Sequence, residues 1–436
     1  MDPSIVALVI VISLLILLFT GLPIAFSLLG ISSLLLLIFM GPQSMMIVIA
    51  SCFKQLETEV FLAVPLYVFM AAILQFSGIA ESLYHSMHMW MGPLRGGLLM
   101  GTVVISAIIA ALTGIGATAT VTMGLIALPE MLQRGYDKKM CLGGIAMGGA
   151  LGPLIPPSVL MVIVAGYSNL SVGKMFLGGY LPGVLWTGLA CLYIGIKCYY
   201  NPSSGPPLPR EERGTPSEKV KQLRGAILPV GLIVFIMGGI YAGIFTPTEA
   251  AGFGALAAIV ISIIHRRFSF SSLNNALQMT LKATSMIIWL VMGGGCYSAL
   301  ITITGTGAAL QGFLQGLPFG KLGVVIVMNI IVLIMGMFID PIAITMICVP
   351  VFIPVCNALS VDLLWFMILF CANCIVGYVT PPFGLNLFYM KGVAPQGTTM
   401  AEVYRGVIPF AIAGVVMLAA CIIFPPLISW LPSLLK

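Results

Sequence analysis

Two apolar segments of this chain are each broken by a double proline, and no other feature restricts its fold so strongly. The first reads Gly152-Pro153-Leu154-Ile155-Pro156-Pro157-Ser158, the second Gly377-Tyr378-Val379-Thr380-Pro381-Pro382-Phe383-Gly384. A proline inside a hydrophobic run removes a backbone donor and interrupts the helix where no water compensates. Pro381 follows Pro156 by 225 residues, about half of the chain's 436. Interrupted helices at matching places in two halves point to a binding site built from exposed backbone.

Composition sets the solvent. Apolar residues make up 60% and charged residues 7%, which excludes a soluble globule. Apolar runs long enough to span a bilayer recur from residue 5 to residue 430, giving one polytopic all-α membrane domain. The first run is too long and too uncharged at its start for a cleaved signal peptide. The net charge of +6 sits in loops and reads as a topology signal rather than a nucleic-acid footprint. Cys371 and Cys374 have CxxC spacing but lie in an apolar helix with no second pair beside them, so small-residue packing is the expected role. His85 and His88, beside Tyr84 and Trp90, suit an interfacial amphipathic stretch better than a metal pair.

Spanning helices are expected near 4–20, 22–40, 60–78, 138–166, 176–198, 225–245, 247–264, 281–303, 362–391 and 402–430. The stretches 97–133 and 320–357 are too short for two crossings and read as re-entrant hairpins. Amphipathic segments 45–56 and 268–281, the latter capped by Ser269, suit helices in the interface plane, either plain linkers or arms bracing a moving part. Residues 201–224 form a polar linker between repeats 1–200 and 225–436. Gly78, Pro93, Gly114, Pro129 and Pro182 align with Gly305, Pro318, Gly336, Pro350 and Pro409, and five crossings separate equivalent points, so the second repeat is inverted. This layout puts fifteen of the 19 basic residues on one side and leaves Lys54, Lys174, Lys321 and Lys436 on the other. The first side is then cytoplasmic and both termini are external.

The first hairpin tip carries Thr113, Gly114, Gly116 and Thr118, whose carbonyls and hydroxyls suit a weakly held monovalent cation such as Na⁺; small-residue packing is the alternative. Inverted-repeat logic pairs this tip with Gly152, Ile155 and Ser158. The second tip carries Gly336 and Asp340. Asp340-Pro341 reads as a helix start, with cation coordination or protonation as the alternative. Unwinding at the second break is expected to free the Gly377 and Thr380 carbonyls, with Phe383 just beyond and the Asn386 amide turned toward the cavity. The half-helices after each double proline aim positive ends inward, which favours an anion. Thr118, Ser158 and Asn386 are the candidate substrate contacts. Thr246-Pro247-Thr248-Glu249 reads as a capping box.

The runs 128–137, 148–158, 245–251, 336–341 and 377–387 resemble, in order, the large membrane subunit of the tripartite ATP-independent periplasmic (TRAP) transporters. The resemblance covers essentially the whole chain. It implies a bacterial inner-membrane, Na⁺-coupled importer of organic acids, carboxylate, sialate or sulfonate, working by an elevator motion. It also implies two partners, a small four-helix membrane subunit and a periplasmic substrate-binding protein. Carried over by position, one Na⁺ site uses the Thr113–Thr118 tip with Gly152, Ile155 and Ser158, and the other uses Gly336, Gly377, Thr380 and Phe383. Members often carry a Ser-Gly-Ser-Ser tip, where this chain has Thr113-Gly114-Ile115-Gly116. The alternative within transport is a stand-alone Na⁺/dicarboxylate symporter of related build. An enzyme requires a poised cluster of titratable groups, and Asp340 alone does not supply one.

Overall fold

The computed structural model describes residues 3–114, 116–213, 216–316 and 320–435, and every regular element among them is helical. Ile115, Gly214, Thr215, Pro318 and Lys436, which entered the sequence reading, lie outside the described residues. The first half contains α1 (Pro3–Phe19), α2 (Ile24–Met40), α3 (Met45–Leu56), α4 (Ala63–Phe76) and α5 (Ile79–Met91). It continues with α6 (Gly97–Thr113), α7 (Gly116–Gln133), α8 (Lys138–Ala150), α9 (Val159–Ser168) and α10 (Val172–Tyr200). The second half contains α11 (Pro216–Tyr241), α12 (Pro247–Ile264), α13 (Phe270–Ile303), α14 (Thr306–Gln315) and α15 (Gly320–Phe338). It ends with α16 (Pro341–Ala358), α17 (Leu363–Tyr378), α18 (Leu385–Val393), α19 (Met400–Ile423) and α20 (Pro426–Ser433).

Among the described residues, seven helices are long and apolar enough to cross a membrane. Large apolar side chains stand outward along them, Leu256, Ile331 and Ile412 among them, as a hydrocarbon solvent permits. The same solvent makes unpaired helix ends costly, and short polar caps satisfy them. Asp137 accepts from Lys139 N at 2.9 Å, Asp362 from Trp365 N at 3.1 Å, and Ser269 from Ser272 N at 3.0 Å. Thr246 and Glu249 form the expected capping box, and Thr399 with Glu402 form a second.

Packing between the halves is reciprocal. α2 lies on α13 as α12 lies on α4, and within each half the packing matches too, α6 on α8 as α15 on α17. Each hairpin's returning arm meets the other half's broken helix, α7 on α18 and α16 on α9. Gly78 and Gly305, which open α5 and α14, have φ of 72° and 70°. α8 and α19 cross so closely that a side chain on Gly406 would fall on the Lys139 carbonyl.

Three expectations are corrected. The arm at 268–281 and the span at 281–303 form one continuous α13 of 34 residues, because no glycine or proline interrupts 268–292. The span at 402–430 ends at Ile423 and turns into α20. The linker 201–224 is shorter than its composition suggests. Pro216 takes the first position of α11, where its missing N–H costs nothing, and good helix formers follow.

The remaining linker is docked. Asp137 N donates to Ser204 O at 2.9 Å, Gly96 N to Gly205 O at 2.9 Å, and Leu208 N to Gly92 O at 2.8 Å. Leu208 of the linker is buried against Gly92. Arg134 joins Glu130 at 3.1 Å to Glu212 of the linker at 2.8 Å, and Lys197 meets Asp137 at 2.7 Å. Burial works against the Asp137 charge, but Lys197 and two backbone N–H groups outweigh it and hold the carboxyl below its usual range. His88, 2.9 Å from Glu130, is the main reason that this carboxyl is held down at about 2.

Replacing Gly406 by Leu forces α8 and α19 apart and is expected to cost about 1–3 kcal/mol or more. Gly231, with nothing within 4 Å of an added side-chain carbon, is the control. Thermal unfolding of the purified protein in detergent checks this: a lowered Tm for Gly406→Leu and an unchanged one for Gly231→Ala.

Candidate functional site

Beyond Ala150 the chain unwinds, and Leu154 N and Ile155 N both return to Leu151 O at 2.9 Å. The Pro156–Pro157 bond is cis. Ser158 then caps α9: its hydroxyl accepts from Met161 N at 3.2 Å and donates to Pro153 O at 2.6 Å. The hairpin tip fits into this break. Gly114, with φ of 62°, closes α6 through its N–H on Ala110 O at 2.7 Å. A side-chain carbon on Gly114 would stand 3.2 Å from Pro157 O, and one on Gly152 2.9 Å from Ala110 O. On Gly116 it would stand 3.1 Å from Gly149 O. Among the described residues, the Gly152 and Ile155 carbonyls receive no hydrogen bond.

The second break has the same plan. α17 ends at Tyr378, and the Pro381–Pro382 bond is cis. α15 crosses α17 at two glycines, where a side-chain carbon on Gly377 would lie 2.7 Å from Gly336 Cα. Phe338 of the tip lies beside Phe383 of the break, with ring centres 5.2 Å apart. The carbonyls expected to be free are partly used: Gly377 O accepts from Thr380 N at 2.9 Å, and Thr380 O from Gly384 N at 3.2 Å. Short turns form because the prolines shorten the unwound stretch without removing these donors. Each oxygen keeps a second lone pair. The Thr380 hydroxyl donates to Val376 O at 2.6 Å.

Asp340 caps α16, accepting from Ile342 N at 2.9 Å. Its carboxylate therefore offsets the positive end of that helix, while α9 keeps its first turn free of acidic residues.

Both tips and both breaks meet at one cavity of about 190 Å³. The first hairpin gives Gly114, Gly116 and Ala117, and the first broken helix gives Pro153, Val159 and Leu160. The second tip gives Asp340, Pro341 and Ile342, and the second broken helix gives Tyr378 and Tyr389. α13 closes the wall with Ala283, Met286 and Ile287. The site is thus assembled from residues far apart in sequence, and neither α13 nor the two tyrosines are among the site residues expected from the sequence. Tyr378 stands inside the quoted proline motif; Tyr389, eleven residues on, carries no signal of its own.

The three candidate substrate contacts do not line this cavity. Ser158 is fully buried with its hydroxyl committed to the backbone. Asn386 is also fully buried, and its amide donates to Ala146 O at 2.6 Å, pinning α18 to α8. Thr118 lies with Thr113 in a separate small recess against Leu74 and Gln75 of α4. Thr113 also leans toward Ala110 O at 3.3 Å. Ser106 and Thr120, not singled out from the sequence, bury hydroxyls that have no hydrogen-bond partner among the described residues, against Gly148 and Gly149.

A family model described as the tripartite ATP-independent periplasmic transporter, DctM component, matches residues 11–427. The C4-dicarboxylate TRAP transporter large permease protein DctM of Pseudomonas aeruginosa is 31% identical over 406 residues, covering 93% of each chain. The isethionate TRAP transporter permease protein DctMQ of Oleidesulfovibrio alaskensis is 29% identical over 377 residues, which is 86% of this chain and 58% of that protein. The solved YdaH transporter of Alcanivorax borkumensis has the same fold, with a TM-score of 0.66 at 13% identity, over 93% of this chain and 97% of that one.

Asp340 combines a cap with a charge, and two substitutions separate them. Asp340→Asn keeps the cap and is expected to leave Tm near wild type, while Asp340→Ala loses about 1 kcal/mol. Thermal unfolding of both variants checks this; equal losses would mean that the charge, not the cap, stabilises the fold.

Proposed function

The chain belongs to the tripartite ATP-independent periplasmic transporter family as a DctM component, and we propose that it carries a small organic anion across the membrane together with Na⁺. It is a multi-pass membrane transport protein that works with a substrate-binding protein, not an enzyme. The observation that carries the finer reading is the cavity on which both tips and both breaks converge. Such a centre, reached from both repeats, can be offered to either side by moving one body past another.

In this reading the repeats are inverted. The hairpins α6–α7 and α15–α16, with the broken helices, move as an elevator against a scaffold that includes α2, α4, α12 and α13. One Na⁺ rests on the Gly152 and Ile155 carbonyls with Gly114 and Gly116 of the tip, and Ser158, Thr113 and Thr118, engaged with the backbone or set in the separate recess, shape its surroundings. A second rests on Gly336, Gly377, Thr380 and Phe383, with Asp340 supplying negative charge nearby. The bound cations and the first turn of α9 then favour a carboxylate or sulfonate between them. The relatives' names, C4-dicarboxylate and isethionate, support that ligand class. Substrate contacts move from Thr118, Ser158 and Asn386 to the cavity wall, chiefly Gly116, Ala117, Tyr378 and Tyr389.

The partners are a periplasmic substrate-binding protein and a small four-helix membrane subunit. The DctMQ relative supports the second, because this chain covers only 58% of it. The chain sits in a bacterial inner membrane with both termini periplasmic, a reading supported by the uneven basic residues.

Uptake into proteoliposomes tests this reading. Labelled anion is expected to accumulate only with an inward Na⁺ gradient and with binding protein and small subunit present. Na⁺-driven uptake by the purified chain alone would establish the stand-alone carrier instead. In a cysteine-free background, Lys54→Cys is expected to react with an impermeant maleimide added outside intact cells, and Lys139→Cys only after permeabilisation. The reverse pattern would invert the topology.

A further inference from the structure

One face of α13 leads out of the central cavity. Ala283, Met286 and Ile287 form part of the cavity wall. Ala283 and Met286 also border a shallow, open surface groove along α13, together with Asn275, Gln278, Met279 and Lys282. These positions recur at intervals of three and four, so they share one helix face. From Asn275 to Ile287 that face runs about 18 Å at the helical rise. Its inner end is apolar, and its outer end carries two side-chain amides and an ammonium. Asn275, Gln278 and Lys282 are exposed. Among the described residues, Lys282 has no carboxylate within ion-pair distance. The charged side chain on the cavity wall is, by contrast, the acid Asp340.

We infer that this face is the release path of the transported anion, and that Lys282 at its mouth is a substrate-contacting residue on the cytoplasmic side. The inference rests on the anion-transport reading above and adds to it a route and a residue. An anion leaving the cavity moves away from Asp340 and toward an unneutralised ammonium flanked by amide donors. Charge thus falls in the order that favours departure. A lysine at a membrane boundary is also ordinary, so the test must separate a contact from a generic surface charge.

The complete transporter is reconstituted, and exchange is followed from vesicles preloaded with graded concentrations of anion. Wild-type uptake under a Na⁺ gradient is measured first; its absence would overturn the transport reading, not the path. Given that uptake, Lys282→Gln is expected to raise the internal half-saturation concentration for exchange about fivefold or more. The external half-saturation value stays unchanged, and Lys282→Arg restores most of the internal affinity. Lys139→Gln, an equal charge loss at another exposed lysine, leaves both values as in wild type. An unchanged internal value in Lys282→Gln, or an equal rise in Lys139→Gln, would overturn the assignment. Equal Tm values for the variants exclude misfolding as the cause.

Discussion

An unwound backbone inside an apolar solvent must be sealed by protein, and the rest of this structure follows from that requirement. Residues 151–158 and 379–384 leave the helical ladder within the apolar, membrane-embedded part of the chain. The chain answers with two hairpins whose tips are placed against the breaks. Small residues make that fit possible: Gly114 and Gly116 approach Pro157 and Gly149, and Gly336 meets Gly377 backbone to backbone. A larger residue at any of these points would hold tip and break apart and expose unpaired peptide groups. In the proposed reading the seal and the binding site are therefore the same contact. The backbone carbonyls left over after sealing are the ones available to a cation.

The two halves solve this problem with different chemistry. The first tip is uncharged, and its break keeps free carbonyls at Gly152 and Ile155. The second tip carries Asp340, and its break returns the Gly377 and Thr380 carbonyls to short turns. Each half thus has one source of negative potential, backbone in the first and carboxylate in the second. In the proposed second cation site the negative charge also begins a helix, so in that reading stability and binding are tied in a single residue. In the first half they are distributed over several peptide groups.

Much of this was legible in the sequence because prolines and glycines act locally. The double prolines placed both breaks, the hairpin tips followed from Gly114 and Asp340-Pro341, and Thr246 with Glu249 announced a capping box that the structure contains. What depended on distant packing was not legible. Asn386 carries an amide suited to a ligand, but only the fold places Ala146 O within its reach. Ser158 looked like a ligand hydroxyl, yet its nearest partners are its own neighbours Pro153 and Met161. The docking of the polar linker was not legible, because nothing local reveals that Gly92, Gly96 and Asp137 offer it backbone partners. The continuity of α13 was legible in principle from the absence of any breaker in 268–292, but an amphipathic segment 268–281 followed by an apolar span 281–303 read as two elements.

The central claim is that tip and break together make cation sites, one in each half. Equilibrium binding of radioactive sodium to the purified chain in detergent tests it most directly. Two Na⁺ per chain are expected for wild type, falling to one when Gly377→Val drives α15 from α17. Thr380→Ala, which leaves that crossing intact, is expected to weaken one site without abolishing it. No saturable binding in wild type, or the same two ions retained with unchanged affinity in both variants, would contradict the account.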